Sequence, residues 1–184
     1  MEKRLANHVQ QEQGFTLIEL VVVIIILAVL AVVAAPKFIN LSNDAKKNSL
    51  ITIGGAMQSG LDLVYSRAVI EGKNIGADVI DINGTDVPIF NGYPSVRGSD
   101  SFVDINAQVK AWLDIDTVDR DTANANRDIA VLFTDKASSA QQIFIFFTED
   151  YDDKSVTFKC TVLYQNQQVP TPLGPSVTVE TDEC

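Results

Sequence analysis

The run from Phe15 to Ala35, FTLIELVVVIIILAVLAVVAA, constrains this chain more than any other stretch. It is apolar except at Thr16 and Glu19. As a helix rising about 1.5 Å per residue it spans about 30 Å, the thickness of a bilayer's hydrocarbon core. A helix in a soluble core rarely stays apolar on every face for so long. A carboxylate near the bilayer centre costs about 2–4 kcal/mol or more. Glu19 therefore needs a physical reason, as does the glycine just ahead of the run, Gly14.

Three readings of the run are open. It is a buried helix of a soluble protein, or the core of a secretory signal peptide, or a retained membrane segment behind a short leader. In the second, Lys3 and Arg4 are the charged region and Val33-Ala34-Ala35 is the cleavage site. The polar linker ANHVQQEQG, the length of the core and Pro36 directly after the cut all count against it. In the third, GFTLIEL (Gly14 to Leu20) followed by an unbroken apolar run resembles the class III signal of type IV prepilins. The pseudopilins of type II secretion share it. The resemblance implies that a membrane-embedded prepilin peptidase/N-methyltransferase cuts between Gly14 and Phe15 and methylates the new amine of Phe15. A glycine before the cut lets the peptidase approach the backbone closely. It further implies that Glu19 meets the N-terminal amine of a neighbouring subunit. Two opposite charges leaving water together cost much less than one alone. The positive-inside count does not settle orientation, since Lys3 and Arg4 lie on one side and Lys37, Lys46 and Lys47 on the other.

After Pro36 the pattern becomes amphipathic. Phe38, Leu41, Ala45, Ser49, Ile53, Met57, Gly60/Leu61, Val64 and Ala68 recur at steps of three and four, which predicts one helix face turned to a core. Asn40, Asp44, Lys47, Asn48 and Asp62 lie on the other face. The helix is expected to end near Glu71-Gly72, where glycine suits a C-cap. Pro36 removes a backbone donor and is expected to kink the helix at the membrane boundary. Gly54-Gly55 and Gly60 are read as places where the head's sheet packs closely.

The remainder is mixed. DVIDING and VPIF around an NGT turn predict a hairpin at 78–90, and NGYPSVRGS is turn chemistry. A short helix is expected over Asp104–Asp114, with Trp112 in the core. Three strands follow, at 128–134, 141–148 and 155–164, separated by loops DKASSA and EDYDDK, with SVTVETDEC as a last strand or tail. In SVTFKCTVLY, alternation predicts that Val156, Phe158, Cys160, Val162 and Tyr164 face the helix while Thr157, Lys159 and Thr161 face outward. An antiparallel sheet laid on one long helix is an α+β arrangement. With the leader at 1–14, the segments are a transmembrane and assembly helix at 15–36, an amphipathic spine helix at 37–72, and a head at 73–184. That is the type IV pilin fold the resemblance implies.

Charge and chemistry narrow the function. Fourteen Lys+Arg against 24 Asp+Glu give a net charge of −10, which opposes nucleic-acid binding and docking on anionic lipid. His8, the only histidine, precedes the run. No nucleophile–histidine pair exists in the body of the chain, so no enzyme and no cofactor are expected. DIDTVDRD (114–121) and EDYDD (149–153) are acidic, yet the first lacks the glycine and glutamate of a calcium loop. Both are read as solvated turns, with no metal site. Asn83-Gly-Thr matches a glycosylation sequon and is more simply a turn.

Cys160 and Cys184 do not match a zinc or thioredoxin pattern. In an exported protein they read as one disulfide, and in the cytosol as two unrelated thiols. Bridged, they bound a C-terminal region at 160–184, a feature the resemblance associates with pilins more than with major pseudopilins. The closer resemblance is to mannose-sensitive haemagglutinin (MSHA) type pilins, carried by VVVIIILAVLAVVAAPKFINL (21–41), LVYSRAVIEG (63–72), NGYP (91–94) and CTVLY (160–164). It implies a structural subunit anchored in the inner membrane with a periplasmic head. Such a subunit is passed by an inner-membrane assembly platform into a homo-polymeric surface filament for adhesion and biofilm attachment, with a surface or carbohydrate ligand. A type II secretion pseudopilin, a minor pilin and a signal-peptide-cleaved soluble binding protein are the alternatives.

Overall fold

The computed structural model describes residues 15–167 and 174–184. The leader at 1–14, including Gly14, lies outside the described residues. The chain parts into two units between Ser42 and Asn43. One helix, α1 (Leu17–Ile70), contributes to both, and Pro36 lies inside it without ending it. Its C-terminus falls where glycine predicted it. Gly72 sits at φ 71°, its amide reaching the Val69 carbonyl at 3.1 Å and the Lys73 amide reaching that of Ala68 at 2.8 Å. These paired bonds are a Schellman cap, which satisfies the last carbonyls of the helix.

The buried stripe of α1 is Leu50, Ile53, Met57, Leu61, Val64 and Ala68. Its distal part matches the expected face. The proximal part does not: Phe38 and Leu41 are exposed, as are Ala45 and Ser49. The Ser49 hydroxyl donates back to the Ala45 carbonyl, and Leu50, one position round the helix, takes the first core place. Apolar spacing marks a face that needs covering; it does not say that the same chain covers it.

Two sheets build the head. β1 (Ala77–Ile82), β2 (Thr85–Phe90) and β3 (Tyr93–Pro94) form an antiparallel meander. Both of its turns are Asn-Gly pairs with φ positive at each position, Asn83-Gly84 and Asn91-Gly92. That is the type I′ geometry whose twist matches a two-residue hairpin. The sequon at Asn83 is thus a turn, and NGYP is both a turn and the start of a third strand. α2 (Phe102–Trp112) follows two residues earlier than expected. Ser101 and Asp104 close a capping box there, which fixes the start of the helix at the serine.

The second sheet runs β4 (Thr117–Asp119), β5 (Leu132–Ala137), β6 (Gln142–Phe147), β7 (Thr161–Gln165), β8 (Ser176–Glu180), in that order. β4 and β5 are parallel, joined across the short helix α3 (Arg120–Ala125), and the other pairs are antiparallel. The α+β class holds, with a mixed sheet in place of a purely antiparallel one. Two strands shift from their expected places. β5 begins at Leu132, opposite Thr117 of β4, and continues through TDKA, so Ile129 and Val131 are exposed and the turn is only Ser138–Gln141. β7 begins at Thr161, because Ser155–Phe158 closes a turn of its own. Val156 is consequently exposed, whereas Cys160, Val162 and Tyr164 are buried as alternation predicts. Thr161, expected to face outward, is buried and donates to the Ile145 carbonyl.

β6 explains its own sequence. Ile143, Ile145 and Phe147 join the main core with the α1 stripe, and Phe144 and Phe146 join a second cluster with Phe133, Ala123 and Tyr151. A strand buried on both faces reads as a continuous apolar run, and QIFIFF is one.

Close approach is real at two of the three helix glycines. A Cβ on Gly54 would strike the Val179 side chain of β8, and one on Gly60 would lie 2.7 Å from the Trp112 carbonyl oxygen and 2.8 Å from its ring. Gly55 has open space. Gly60 faces α2 and not a sheet. Gly60→Ala is expected to destabilise the protein by about 1–3 kcal/mol, because backbone cannot yield as a side-chain tip can. Gly55→Ala should stabilise it by about 0.5–1 kcal/mol through helix propensity. Thermal melts of the two variants beside the parent read this opposite sign.

Candidate functional site

The described chain opens at Phe15, 92% exposed, and the helix begins two residues on. Thr16 and Glu19 close a capping box at this end. The Glu19 carboxylate accepts the Thr16 amide at 2.9 Å and the Thr16 hydroxyl at 2.8 Å, while the Glu19 amide donates to that hydroxyl at 3.3 Å. Glu19 is therefore a helix cap, tied to Thr16 at the N-terminal end of α1. Thr16 is not among the site residues expected from the sequence, yet Thr-x-x-Glu is a legible N-terminal signature.

From Leu17 to Val33 every large apolar side chain is exposed. The most apolar window of α1 has a mean hydropathy of 3.3 and is 0% buried. That exposure removes the soluble-core reading, in which these side chains would be covered by their own fold. Length and composition suit membrane anchoring before assembly.

At the other end of the chain, Cys160 and Cys184 are bonded, with Cα atoms 4.9 Å apart. The bridge is sealed by neighbouring bonds: the Lys159 amide donates to the Glu183 carboxylate at 2.6 Å, and the Glu183 amide to the Lys159 carbonyl at 3.1 Å. Between the cysteines, β7 and β8 pair from Thr161↔Glu180 to Gln165↔Ser176. The covalent link and the ladder together hold the terminal strand, which carries no fully buried residue of its own.

The solvated reading holds for most of the acidic stretches, where Asp114, Asp116, Asp121, Glu149, Asp152 and Asp153 are exposed, and each stretch also holds structural contacts that the reading did not include. In DIDTVDRD, Asp119 is buried and caps α3, accepting the Asp121 and Thr122 amides at 3.0 Å each and the Thr122 hydroxyl at 2.6 Å. Burial works to raise its pKa, but the Thr122 and Asp121 bonds outweigh it and hold the carboxyl below the usual range. In EDYDD, Glu149 and Asp150 close on Lys46 of α1 at 2.6 and 2.9 Å, and Tyr151 is buried against Phe133. A charge run in sequence cannot distinguish solvent from a partner 104 residues away.

Residues 10–35 match the family described as Prokaryotic N-terminal methylation motif. No curated protein and no solved structure was found to match the chain. The motif is type IV prepilin-like. It supports a structural protein of pilin or pseudopilin type, with prepilin peptidase processing and polymerisation as its general consequences.

Two outcomes are expected. Thr16→Val should speed amide hydrogen exchange over the first turn of α1 in detergent micelles, while Thr16→Ser leaves it slow, since only the hydroxyl closes the box. Asp119→Ala should lower stability at pH 7 by about 1–2 kcal/mol. A carboxylate whose folded pKa is depressed contributes stability above its unfolded pKa and loses it as the pH falls through the folded one. The gap between parent and variant melts should therefore narrow in acid.

Proposed function

We propose that this chain is a type IV prepilin, an MSHA-type major subunit, cut between Gly14 and Phe15 and N-methylated on Phe15. The observation that carries the reading is the methylation motif at 10–35 lying directly on a helix whose apolar part is wholly uncovered. The prepilin peptidase/N-methyltransferase processes the chain at the inner membrane, and residues 15–36 then anchor it with the head, residues 73–184, in the periplasm. Assembly transfers the segment from lipid into a bundle of like helices on an inner-membrane platform, forming an extracellular pilus for adhesion and biofilm attachment. Both environments satisfy the same requirement, apolar cover on every face of the helix.

Glu19 sets the register of that transfer. Its bonds to Thr16 place the carboxylate at the helix start, where the cationic Phe15 amine of a neighbour arrives. Pro36 is the position at which the helix changes direction on leaving the membrane. A pseudopilin shares the signal, and the Cys160–Cys184 bridge favours the pilin reading over it.

Mass spectrometry of the mature N-terminus is the direct test. N-methyl-Phe15 is expected, and a mature chain beginning at Pro36 would refute the proposal in favour of an exported soluble protein. Glu19→Ala and Glu19→Gln should both be cleaved and inserted yet polymerise poorly; normal piliation of either would sink the register role. Counting subunits in purified filaments separates a major from a minor pilin.

A further inference from the structure

The two sheets of the head present four edge strands, β1 and β3 of the meander and β4 and β8 of the mixed sheet. An edge strand turns backbone N–H and C=O groups away from its sheet, where another strand can pair with them unless something covers them. Side chains cover the first three of these edges. On β1, Ile82 and Thr85 flank the tight turn and bond each other, so Val79 faces outward. Its carbonyl accepts the Lys73 ammonium at 2.8 Å, and its amide donates to the Asp78 carboxylate at 2.7 Å. On β3, the Ser95 amide turns to the Pro88 carbonyl, so Pro94 beside it faces outward. A proline has no N–H to offer, and the Pro94 carbonyl accepts the Tyr164 hydroxyl at 2.7 Å and the Asn166 side-chain amide at 3.0 Å. On β4, Asn106 of α2 donates to the Thr117 carbonyl at 3.3 Å and accepts the Thr117 hydroxyl at 2.7 Å.

β8 is different. The Asn166 amide bonds the Gln141 carbonyl, which sets the alternation along β7: Val162 and Tyr164 bond toward β6, while Thr161, Leu163 and Gln165 bond toward β8. Their partners Glu180, Thr178 and Ser176 therefore use their backbone groups on β7, and Val177 and Val179 turn theirs outward. Among the described residues no backbone or side-chain group bonds these outward groups. The strand is also held in place. The ladder to β7 supports one side of it, and the Cys160–Cys184 bridge lies just beyond its end. Pairing on the open side orders little that is not already ordered, which favours association.

The sequence of the edge selects its occupant. Val177-Thr178-Val179 reads the same in both directions. When two copies meet antiparallel about Thr178, Val177 of each faces Val179 of the other, and each such pair exchanges both backbone bonds. Thr178 then faces its own counterpart; Thr–Thr pairs hydrogen-bond across strands, and valine suits a pleated surface. A two-fold contact of this kind uses the same patch on both copies. Charge permits it even in a chain of net charge −10. The register sets Glu180 opposite Ser176, and the antiparallel sense carries the acidic residues at 180–183 to opposite ends of the pairing. Asp182 is already paired with Lys159 at 3.4 Å.

We propose that β8 pairs antiparallel with β8 of a second copy, centred on Thr178, so that the five-stranded sheet continues through a two-fold axis into another head. This is a contact between heads, apart from any packing of α1 in a polymer. It uses neither the cut at Gly14 nor the apolar helix, so its failure leaves the prepilin reading untouched.

The test is sedimentation equilibrium of the full-length protein in density-matched detergent micelles, with substitutions at Thr178, which is exposed. Association through the apolar helix is common to every variant and cancels in the comparison. Thr178→Lys and Thr178→Glu set like charges face to face and should each weaken self-association by at least about tenfold, with the melting temperature unchanged. An equimolar mixture of the two should associate at least as tightly as the parent, since the opposed charges now attract. Under mild oxidation Thr178→Cys should give a dimer linked through position 178, because directly opposed residues of a non-bonded pair lie about 4.5 Å apart, within disulfide reach. Thr157→Cys, at an exposed turn, should not. A parent that associates no more tightly than Thr178→Lys, a mixture no tighter than either variant alone, or equal cross-linking from positions 157 and 178 would each overturn the proposal.

Discussion

The stripe from Leu50 to Ala68 on α1 is the surface on which the other elements depend. The hairpin, α2 and the inner face of β6 and β7 all contribute to the cluster that includes it. None of these pieces could bury its apolar side alone; a short hairpin is marginal in water, and α2 has only three turns. The helix gives them a common wall, and it can do so because Gly54 and Gly60 remove side chains where β8 and Trp112 come closest. Long-range polar ties then secure the arrangement. Tyr164 donates to the Pro94 carbonyl at 2.7 Å, and the Asn166 amide reaches the carbonyls of Phe90, Tyr93 and Pro94. These join β7 to the meander, which belongs to the other sheet.

The N-terminus of α1 and the segment after Cys160 solve different problems with local chemistry. At the start, an exposed helix terminus would leave amides unpaired, and Thr16 with Glu19 answers this inside one subunit. The same pair holds a carboxylate at the place where the proposed assembly needs one, so capping and docking are compatible uses of a single side chain. At the finish, the segment after Cys160 carries several prolines and little core. A bridge of this separation contributes roughly 3–4 kcal/mol in the chain-entropy model, and it keeps β8 beside β7 where the ladder can form.

The second core beneath β5 and β6 has a different character. Its cluster is aromatic, with Phe133 in ring contact with both Phe146 and Tyr151, and cations gather around it: Arg127 lies 3.8 Å over the Tyr151 ring, joining Arg120 and Lys154. Rings with negative faces attract cations, which is a physical reason for a basic rim on an otherwise acidic molecule.

Much of this was legible in the residues. The apolar run, the GFTLIEL signature, both Asn-Gly turns, the glycine stop at Gly72 and the pairing of Cys160 with Cys184 depend on local chemistry or on a unique partner. Short-range rules therefore reach them. What only the tertiary structure decided are choices among partners. β5 starts at Leu132 because β4 lies beside it, and Val156 is exposed because the chain turns before β7. Asp119 and Glu149–Asp150 are structural because an N-terminus and Lys46 happen to stand opposite them. Sequence determines which groups need a partner; the fold decides which groups are within the few ångströms over which burial and hydrogen bonding act.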